Sequence, residues 1–441
     1  MSMVEAYFQL KARRTNVRTE VVAGLTTFLT MAYIIFVNPT VLSQAGMDKN
    51  ALIAVTCLAT AVVTIIAGVF ANAPIAMAPG MGLNAFFTYT LVLGNKVEWQ
   101  TALGIVFMSG FFFLLLTLVG LRKKLVEAIP PGLISAISVG IGLFITFIGL
   151  VNLGIVVNNE ETLVGQGPLT TKVLIGLAGL LVMLFLEMKR IKGALLIGIM
   201  FSTLLAVAFG YVQKPAEFIS LHIDIRPVAL HLDIWAALKW SMFGSIFSLM
   251  FMDMFDSIGT LVACCHEAKL VDEHGRIKGL DRLLNIDALA TMIGALFGTS
   301  TTTSYIESAA GIEEGGRTGL TSVVNGALFL LALLFVPIIG IVPIYATAPA
   351  LIMVGLFMMK EVRNIDFGNL EEGFPAFIII VMIALCYSIS AGLAFGFVSY
   401  TLIKTAAGRA RQVKPTMWII ACLSLVFLSA DKLGDLLKCL K

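Results

Sequence analysis

The chain has 441 residues, of which 59% are hydrophobic and 13% charged, where a soluble globular domain carries roughly 25% charged residues. That excludes an ordinary soluble protein and points to an integral membrane protein with many spans. A formal net charge of +3 says little by itself.

Taken in order, Met1 to Glu20 is polar, with Lys11, Arg13, Arg14 and Arg18, and is expected to hold no cleavable signal. Apolar runs of about 20 residues mark membrane helices. They fall at 21–43, 51–71, 76–93, 101–121, 131–151, 172–187, 192–212, 235–263, 283–298, 303–316, 319–338, 341–360, 374–388 and 390–405. The fold class read from them is an all-α polytopic membrane protein of fourteen transmembrane segments. A further run, 416–430, is short for a span and is read as an extra apolar segment.

Two of the runs are broken. Residues 78–87 read Ala-Pro-Gly-Met-Gly-Leu-Asn-Ala-Phe-Phe, and 298–311 read Gly-Thr-Ser-Thr-Thr-Thr-Ser-Tyr-Ile-Glu-Ser-Ala-Ala-Gly. Non-helical backbone at membrane depth survives only where protein or a water-filled cavity satisfies it. Two breaks, one in each half, point to a transporter's central binding site.

The halves also resemble each other. Gly-Leu-Phe stands at 142–144 and 355–357, Gly-Ala-Leu-Leu-Ile-Gly at 193–198 against Ala-Gly-Leu-Ala-Phe-Gly at 391–396, and Thr-Ala-Leu-Gly at 101–104 against Thr-Gly-Leu-Thr at 318–321. The order is the same in both halves. Seven is odd, so the second copy enters from the opposite side: a 7+7 inverted repeat. Lys and Arg set the orientation. With the N-terminus in the cytoplasm, the far side holds Lys49, Lys96, Lys172, Lys214, Arg226 and Lys239, and the inner loops hold nearly all the others.

Ionisable groups at membrane depth are costly and mark function. Asp253 and Asp256 sit at i and i+3 in the eighth run, on one helix face, where two like charges oppose each other. Either is a candidate proton-coupling group. Ser304-Tyr-Ile-Glu307 reads as a capping box, with Glu307 bonding back to the Ser304 amide, and equally as a carboxylate at the site. Asn84 is an N-cap or a ligand fork. Phe86, Phe87, Phe255 and Tyr305 are candidate stacking rings. Glu313, Glu314 and Arg317 read as a solvated turn.

Other chemistry finds no support. There is no Gly-x-x-x-x-Gly-Lys-Ser/Thr loop to take ATP. The cysteines (57, 264, 265, 386, 422, 439) form no Cys-x-x-Cys pair, and Cys264-Cys265-His266-Glu267 with Asp272-Glu273-His274 lacks tight metal-ligand spacing. His222, His231, His266 and His274 lie outside the runs, so acids must carry any proton. No cofactor, metal or nucleic acid is expected, and the chain does not read as an enzyme.

Four motifs carry a resemblance: Gly24-Leu-Thr-Thr-Phe-Leu-Thr-Met-Ala-Tyr-Ile-Ile-Phe-Val-Asn38-Pro39, Ala78-Pro-Gly-Met-Gly-Leu-Asn84-Ala, Asp253-Met-Phe-Asp256-Ser-Ile-Gly-Thr260, and Thr301-Thr-Thr-Ser-Tyr-Ile-Glu307-Ser-Ala-Ala-Gly311. Over about residues 15–405 the chain resembles the AzgA-like purine permeases of the nucleobase/ascorbate transporter superfamily. The resemblance implies the inverted-repeat fold of the uracil permease, with short strands in broken segments three and ten. It implies a core domain in two parts, 21–121 and 235–338, and a gate domain in two parts, 129–212 and 341–406, through which the protein dimerises.

By the same resemblance the substrate-binding residues are Asn84, Asp256 and Glu307; Ala85, Phe86, Phe255, Thr303 and Tyr305 beside them in the sequence are the further candidates for substrate binding. The proton-coupling acids are Asp256, Glu307 and Asp253. The uracil branch has a His after its span-eight acid; here that residue is Ser257. The expected function is import of a purine base (adenine, guanine or hypoxanthine) across the plasma (inner) membrane by proton symport, through an elevator or rocking motion. The alternatives are sodium coupling and an anion or other metabolite carrier of the same fold.

Overall fold

The computed structural model describes residues 3–120, 129–213, 217–220, 223–270, 277, 279–425 and 428. Among them, nine helices are long and apolar enough to cross a membrane, and Met81–Gly94, Ala194–Ala208 and Pro415–Leu425 are shorter apolar helices. Residues 426, 427, 429 and 430 of the C-terminal run, His222, the Asp272–His274 cluster and Cys439 lie outside the described residues.

The first segment is two helices, α1 (Val17–Met31) and α2 (Ile34–Ser43), parted at Ala32 and Tyr33. At that joint the amides of Ile35 and Phe36 reach back three residues rather than four, to Ala32 and Tyr33. Asn16 caps α1 by accepting from the Thr19 amide at 3.0 Å. Asp48 does the same for α3 (Lys49–Ile66), accepting from Ala51 at 2.8 Å. After α3 the chain runs extended as β1 (Met77–Pro79), then turns into the short helix α4 (Met81–Ala85).

Helix α5 (Trp99–Leu118) completes the first quarter, and α6 (Pro131–Leu153) opens the second with Pro131 at its first turn. A hairpin follows, β2 (Val156–Asn159) and β3 (Leu163–Gln166), which the sequence reading did not anticipate. The Asn159 carboxamide oxygen takes the amides of Glu161 and Thr162, an Asx-type turn that fixes its register. Helices α7 (Thr171–Met188) and α8 (Ala194–Ala208) close the first half.

The second half also holds a strand followed by a short helix. Helix α9 (Phe243–Glu267) is long, and α10 (Leu280–Phe297) ends at Gly298, whose φ of +92° suits glycine. Then come β4 (Thr302–Ser304), the short α11 (Ser308–Glu313) and α12 (Gly319–Ala332). Helices α13 (Ile344–Met358), α14 (Leu370–Leu385) and α15 (Ile389–Ala406) follow.

The helices pack in two sets. In one, α12 lies against α1 and α3, α10 against α5, α9 against α5, and α11 against α1; in the other, α6 packs on α13 and α14, α7 on α8 and α13, and α14 on α15. Lipid tails are as apolar as leucine, so these contacts rest on close approach rather than on hydrophobic exclusion. Gly311 is an example: a Cβ there would run into the Thr27 hydroxyl and the Ala23 carbonyl of α1. Ion pairs tie the ends. Lys404 of α15 is buried and meets Glu371 of α14 at 2.9 Å, with Arg409 also on Glu371 at 2.9 Å.

The two broken segments meet. Strands β1 and β4 pair antiparallel, Met77 opposite Ser304, Ala78 opposite Thr303 and Pro79 opposite Thr302. The Tyr305 amide donates to Ala76 and the Gly80 amide to Thr301, extending the ladder at both ends. Each break thus satisfies the other's backbone, as membrane depth demands.

Candidate functional site

The strand crossing is surrounded by acids. Strand β4 is held to its neighbours by a chain of hydroxyls that ends on Asp287 of α10. Thr303 and Ser257 hydroxyls are 2.7 Å apart, and Ser257 donates to Asp287. Asp287 also takes the Ser304 amide at 3.0 Å and its hydroxyl at 2.9 Å. The sequence reading missed Asp287, although it stands in an apolar run and the rule that singled out Asp256 applies to it equally.

Those bonds correct the capping-box reading. Ser304 is the last residue of β4, and its amide goes to Asp287, not to Glu307. Glu307 is itself the residue that opens α11, in helical geometry at φ −59° and ψ −15°, with no side-chain cap bond. Its carboxylate instead accepts a hydrogen bond of 2.7 Å from the Tyr33 hydroxyl, at the joint between α1 and α2.

Asp253 and Asp256 part company. Asp253 is buried and accepts from the Thr291 hydroxyl of α10 at 2.8 Å, where Thr291 also reaches the Thr302 carbonyl at 3.1 Å. It joins α9, α10 and β4. Asp256 lies 11 residues before the end of α9 at Glu267, near the middle of that helix, yet borders open space. Asp287 and Glu307 are among the charges within its reach.

The open space follows one stripe of α9: Asp256, Gly259 and Ala263 are exposed one turn after another, ending at exposed His266 and Glu267. Across from them Ile306 is 51% exposed and Glu307 is half-buried. The site therefore opens along α9 toward its Glu267 end. A cluster of acids with hydroxyl and amide donors suits a neutral polar ligand that offers N–H groups, not an anion.

The other residues singled out form a dry layer behind this opening. Asn84 is fully buried in the first turn of the helix Met81–Gly94 that α4 begins, but the N-cap is Gly80, so the N-cap reading does not hold. Its carboxamide oxygen accepts from Ser300, and its Nδ2 has no partner among the described residues. Ala85, Phe86 and Phe87 are buried beside it. Phe255 is buried with its ring 5.8 Å from that of Phe251. Tyr305 spends its hydroxyl on the Pro79 carbonyl, 2.6 Å away, which locks the two breaks together. Asn38 of α2 bridges the same region, donating to Thr56 at 2.7 Å and Thr299 at 3.1 Å.

Two smaller readings change. Arg317 does not lie in a solvated turn: its guanidinium donates to the Ile312 and Gly316 carbonyls, and its amide donates to the buried Glu20 carboxylate. Among the described residues no cluster of three His, Cys, Asp or Glu can hold a metal. His266 sits in the last turn of α9, at the mouth of the opening rather than beyond the helix.

Comparison with known proteins adds to this geometry. A model described as the permease family matches residues 18–395. The chain is 42% identical over 432 residues to the adenine permease AdeP of Escherichia coli (strain K12), covering 97% of both. It is 40% identical over 443 residues to the guanine/hypoxanthine permease PbuG of Bacillus subtilis (strain 168), covering 96% of this chain and all of that one. Among solved structures, the transmembrane domain of a cyanobacterium bicarbonate transporter, BicA, superposes with a TM-score of 0.68 over 85% of this chain and 97% of that chain. Its 17% identity makes it a likeness of fold alone.

Proposed function

The chain belongs to the permease family and is a multi-pass membrane transporter, not an enzyme, and from that footing we propose that it imports purine bases (adenine, guanine or hypoxanthine) by secondary active transport. The observation that carries the reading is the convergence of two acids, Asp256 and Glu307, on one opening beside the paired breaks. The names of the adenine and guanine/hypoxanthine permeases, similar over nearly their whole length, supply the substrate class.

The chemistry is consistent with that class. A purine offers ring N–H donors, ring-nitrogen acceptors and an exocyclic group. Asp256 and Glu307 accept from the N–H groups. The dry layer of Asn84, Ala85, Phe86, Phe255, Thr303 and Tyr305 sets the shape behind them. A site that bonds each polar edge rejects an analogue that leaves one unpaired. Asp256 or Glu307 is also the proton carrier, with Asp253 the third acid of the set. Loading the proton together with the base neutralises charge that would otherwise resist movement through the bilayer.

The segments are read as fourteen, in a 7+7 inverted repeat. The set built on α1–α5 and α9–α12 is then the core that carries the site, and the set built on α6–α8 and α13–α15 is the gate it slides or rocks against. The gate is the surface for a homodimer. The Lys and Arg bias supports a cytoplasmic N-terminus in the plasma (inner) membrane. Since the opening runs to the Glu267 end of α9, near Lys269 and the Arg282 of α10's first turn, the conformation described is read as inward-open.

The test is uptake of radiolabelled purines by cells lacking their own permeases, for the wild type and Glu307→Gln, across external pH. Saturable uptake that rises as pH falls and drops about ten- to a hundredfold in the variant is the expected result, the scale of a lost contact to a charged group. No purine uptake by a well-expressed protein overturns the substrate. Uptake that follows sodium and ignores pH replaces the coupling ion and leaves the substrate standing.

A further inference from the structure

The first membrane segment supplies a contact that neither the motif reading nor the proposed mechanism uses. We propose that Tyr33, at the joint of α1 and α2, is the positioning residue for Glu307: its hydroxyl holds the carboxylate in the orientation that meets the substrate. The proposal rests on the reading of Glu307 as a substrate ligand given above.

The observations are geometric. Tyr33 is 3% exposed, and its hydroxyl donates to Glu307 Oε1 at 2.7 Å, within the range of a charge-assisted bond to a carboxylate. No other side chain among the described residues donates to that carboxylate. Glu307 opens α11 with nothing capped by its side chain, and it stands half-buried beside the opening. A glutamate in such a place has three free torsions, and one fixed donor selects among them. Tyr33 stands at the joint itself, where the amides of Ile35 and Phe36 reach back three residues.

The contact also lies within one packed body. Helix α11 packs on α1, Gly311 lies close against Ala23 and Thr27, and the Thr30 hydroxyl is 3.5 Å from the Glu307 carbonyl. Tyr33 and Glu307 therefore move together if the core slides against the gate. The bond serves binding throughout the cycle rather than opening or closing the path. The titratable groups around Glu307 are Tyr33 from the first segment, Asp256 and Cys264 from α9, and the adjoining Tyr305. Of these, Tyr33 is the hydrogen-bond donor.

The experiment is Tyr33→Phe, which deletes one oxygen and keeps the ring, in the same uptake assay, with purine affinity of the purified protein by calorimetry as a second measurement. The expected result is a KM and a dissociation constant raised about ten- to a hundredfold, the scale of a lost bond to a charged group. Maximal rate stays within about twofold. Unchanged KM and affinity overturn the proposal, as does a lower maximal rate at unchanged KM, which marks a purely structural tyrosine. Wild-type protein that neither takes up nor binds purines refutes the substrate reading instead, and is told apart because it needs no variant.

Discussion

The two broken segments share a plan and differ in what they carry. Each is a three-residue strand followed by a short helix, and the strands pair with one another. At the first break the polar side chain is Asn84, fully buried and tied to Ser300. At the second it is Glu307, at the edge of an opening and tied to Tyr33. The first break also has Pro79 in its strand, which lacks an amide to donate, whereas the second is a run of hydroxyls whose backbone and side chains are taken by Asp287, Thr291 and Ser257. A repeated scaffold thus leaves one half to build the wall and the other to bear the charge.

The comparison breaks most sharply at Asp287. Three donors converge on its carboxylate: Ser257, the Ser304 amide and the Ser304 hydroxyl. Asp287→Ala leaves the Ser304 amide and hydroxyl without an acceptor and Ser257 with Thr303 alone, and each buried polar group so orphaned costs about 1–3 kcal/mol. The expected outcome is a severe loss of thermal stability in detergent and loss of uptake together. Asp287→Asn, which keeps one acceptor oxygen, falls between. If Asp287→Ala melts like wild type, β4 is not held from α10, and the charged break is less fixed than the geometry indicates.

Asn84→Ala is the matching test of the neutral break, and its effect is expected to be smaller. One hydrogen bond, from Ser300, is lost, about 1 kcal/mol of stability. KM for the purine is expected to rise less than in Tyr33→Phe. A rise in KM that rivals Glu307→Gln, at unchanged melting temperature, erases the distinction and makes Asn84 a direct ligand contact through its unpaired Nδ2.

How much of this was legible in the sequence depended on the range of the interaction. Pro79, Gly80 and the hydroxyl run after Gly298 mark the breaks because helix chemistry is local. Asp256 and Glu307 stand out because a carboxylate among apolar residues is costly wherever it lies. The capping box failed because a tertiary acceptor won: Asp287, 17 residues before Ser304, reached the amide that Glu307 was expected to take. Tyr33 was invisible for another reason. A tyrosine in a membrane helix reads as packing, and only the helix joint and a partner 274 residues away give it a role. The different surroundings of Asp253 and Asp256 were equally out of reach, since only the packing of α10 gives Asp253 its donor, Thr291.

The mildest test lies where the charged break ends. Glu313, the last residue of α11, pairs with Lys192 ahead of α8 at 2.8 Å, linking the two packed sets of helices. The side chains are 36% and 60% exposed, so water and salt screen the pair, and such pairs contribute about 0–1 kcal/mol. Lys192→Gln is therefore expected to leave the melting temperature within error and purine KM unchanged. Any effect should appear in the maximal rate, because the pair joins bodies that the proposed cycle moves apart, and it should vanish at high salt. A KM change in Lys192→Gln runs against that division of labour: it couples the substrate contact at the start of α11 to an ion pair at its end, and then the charged break cannot be treated as a rigid passenger of the core.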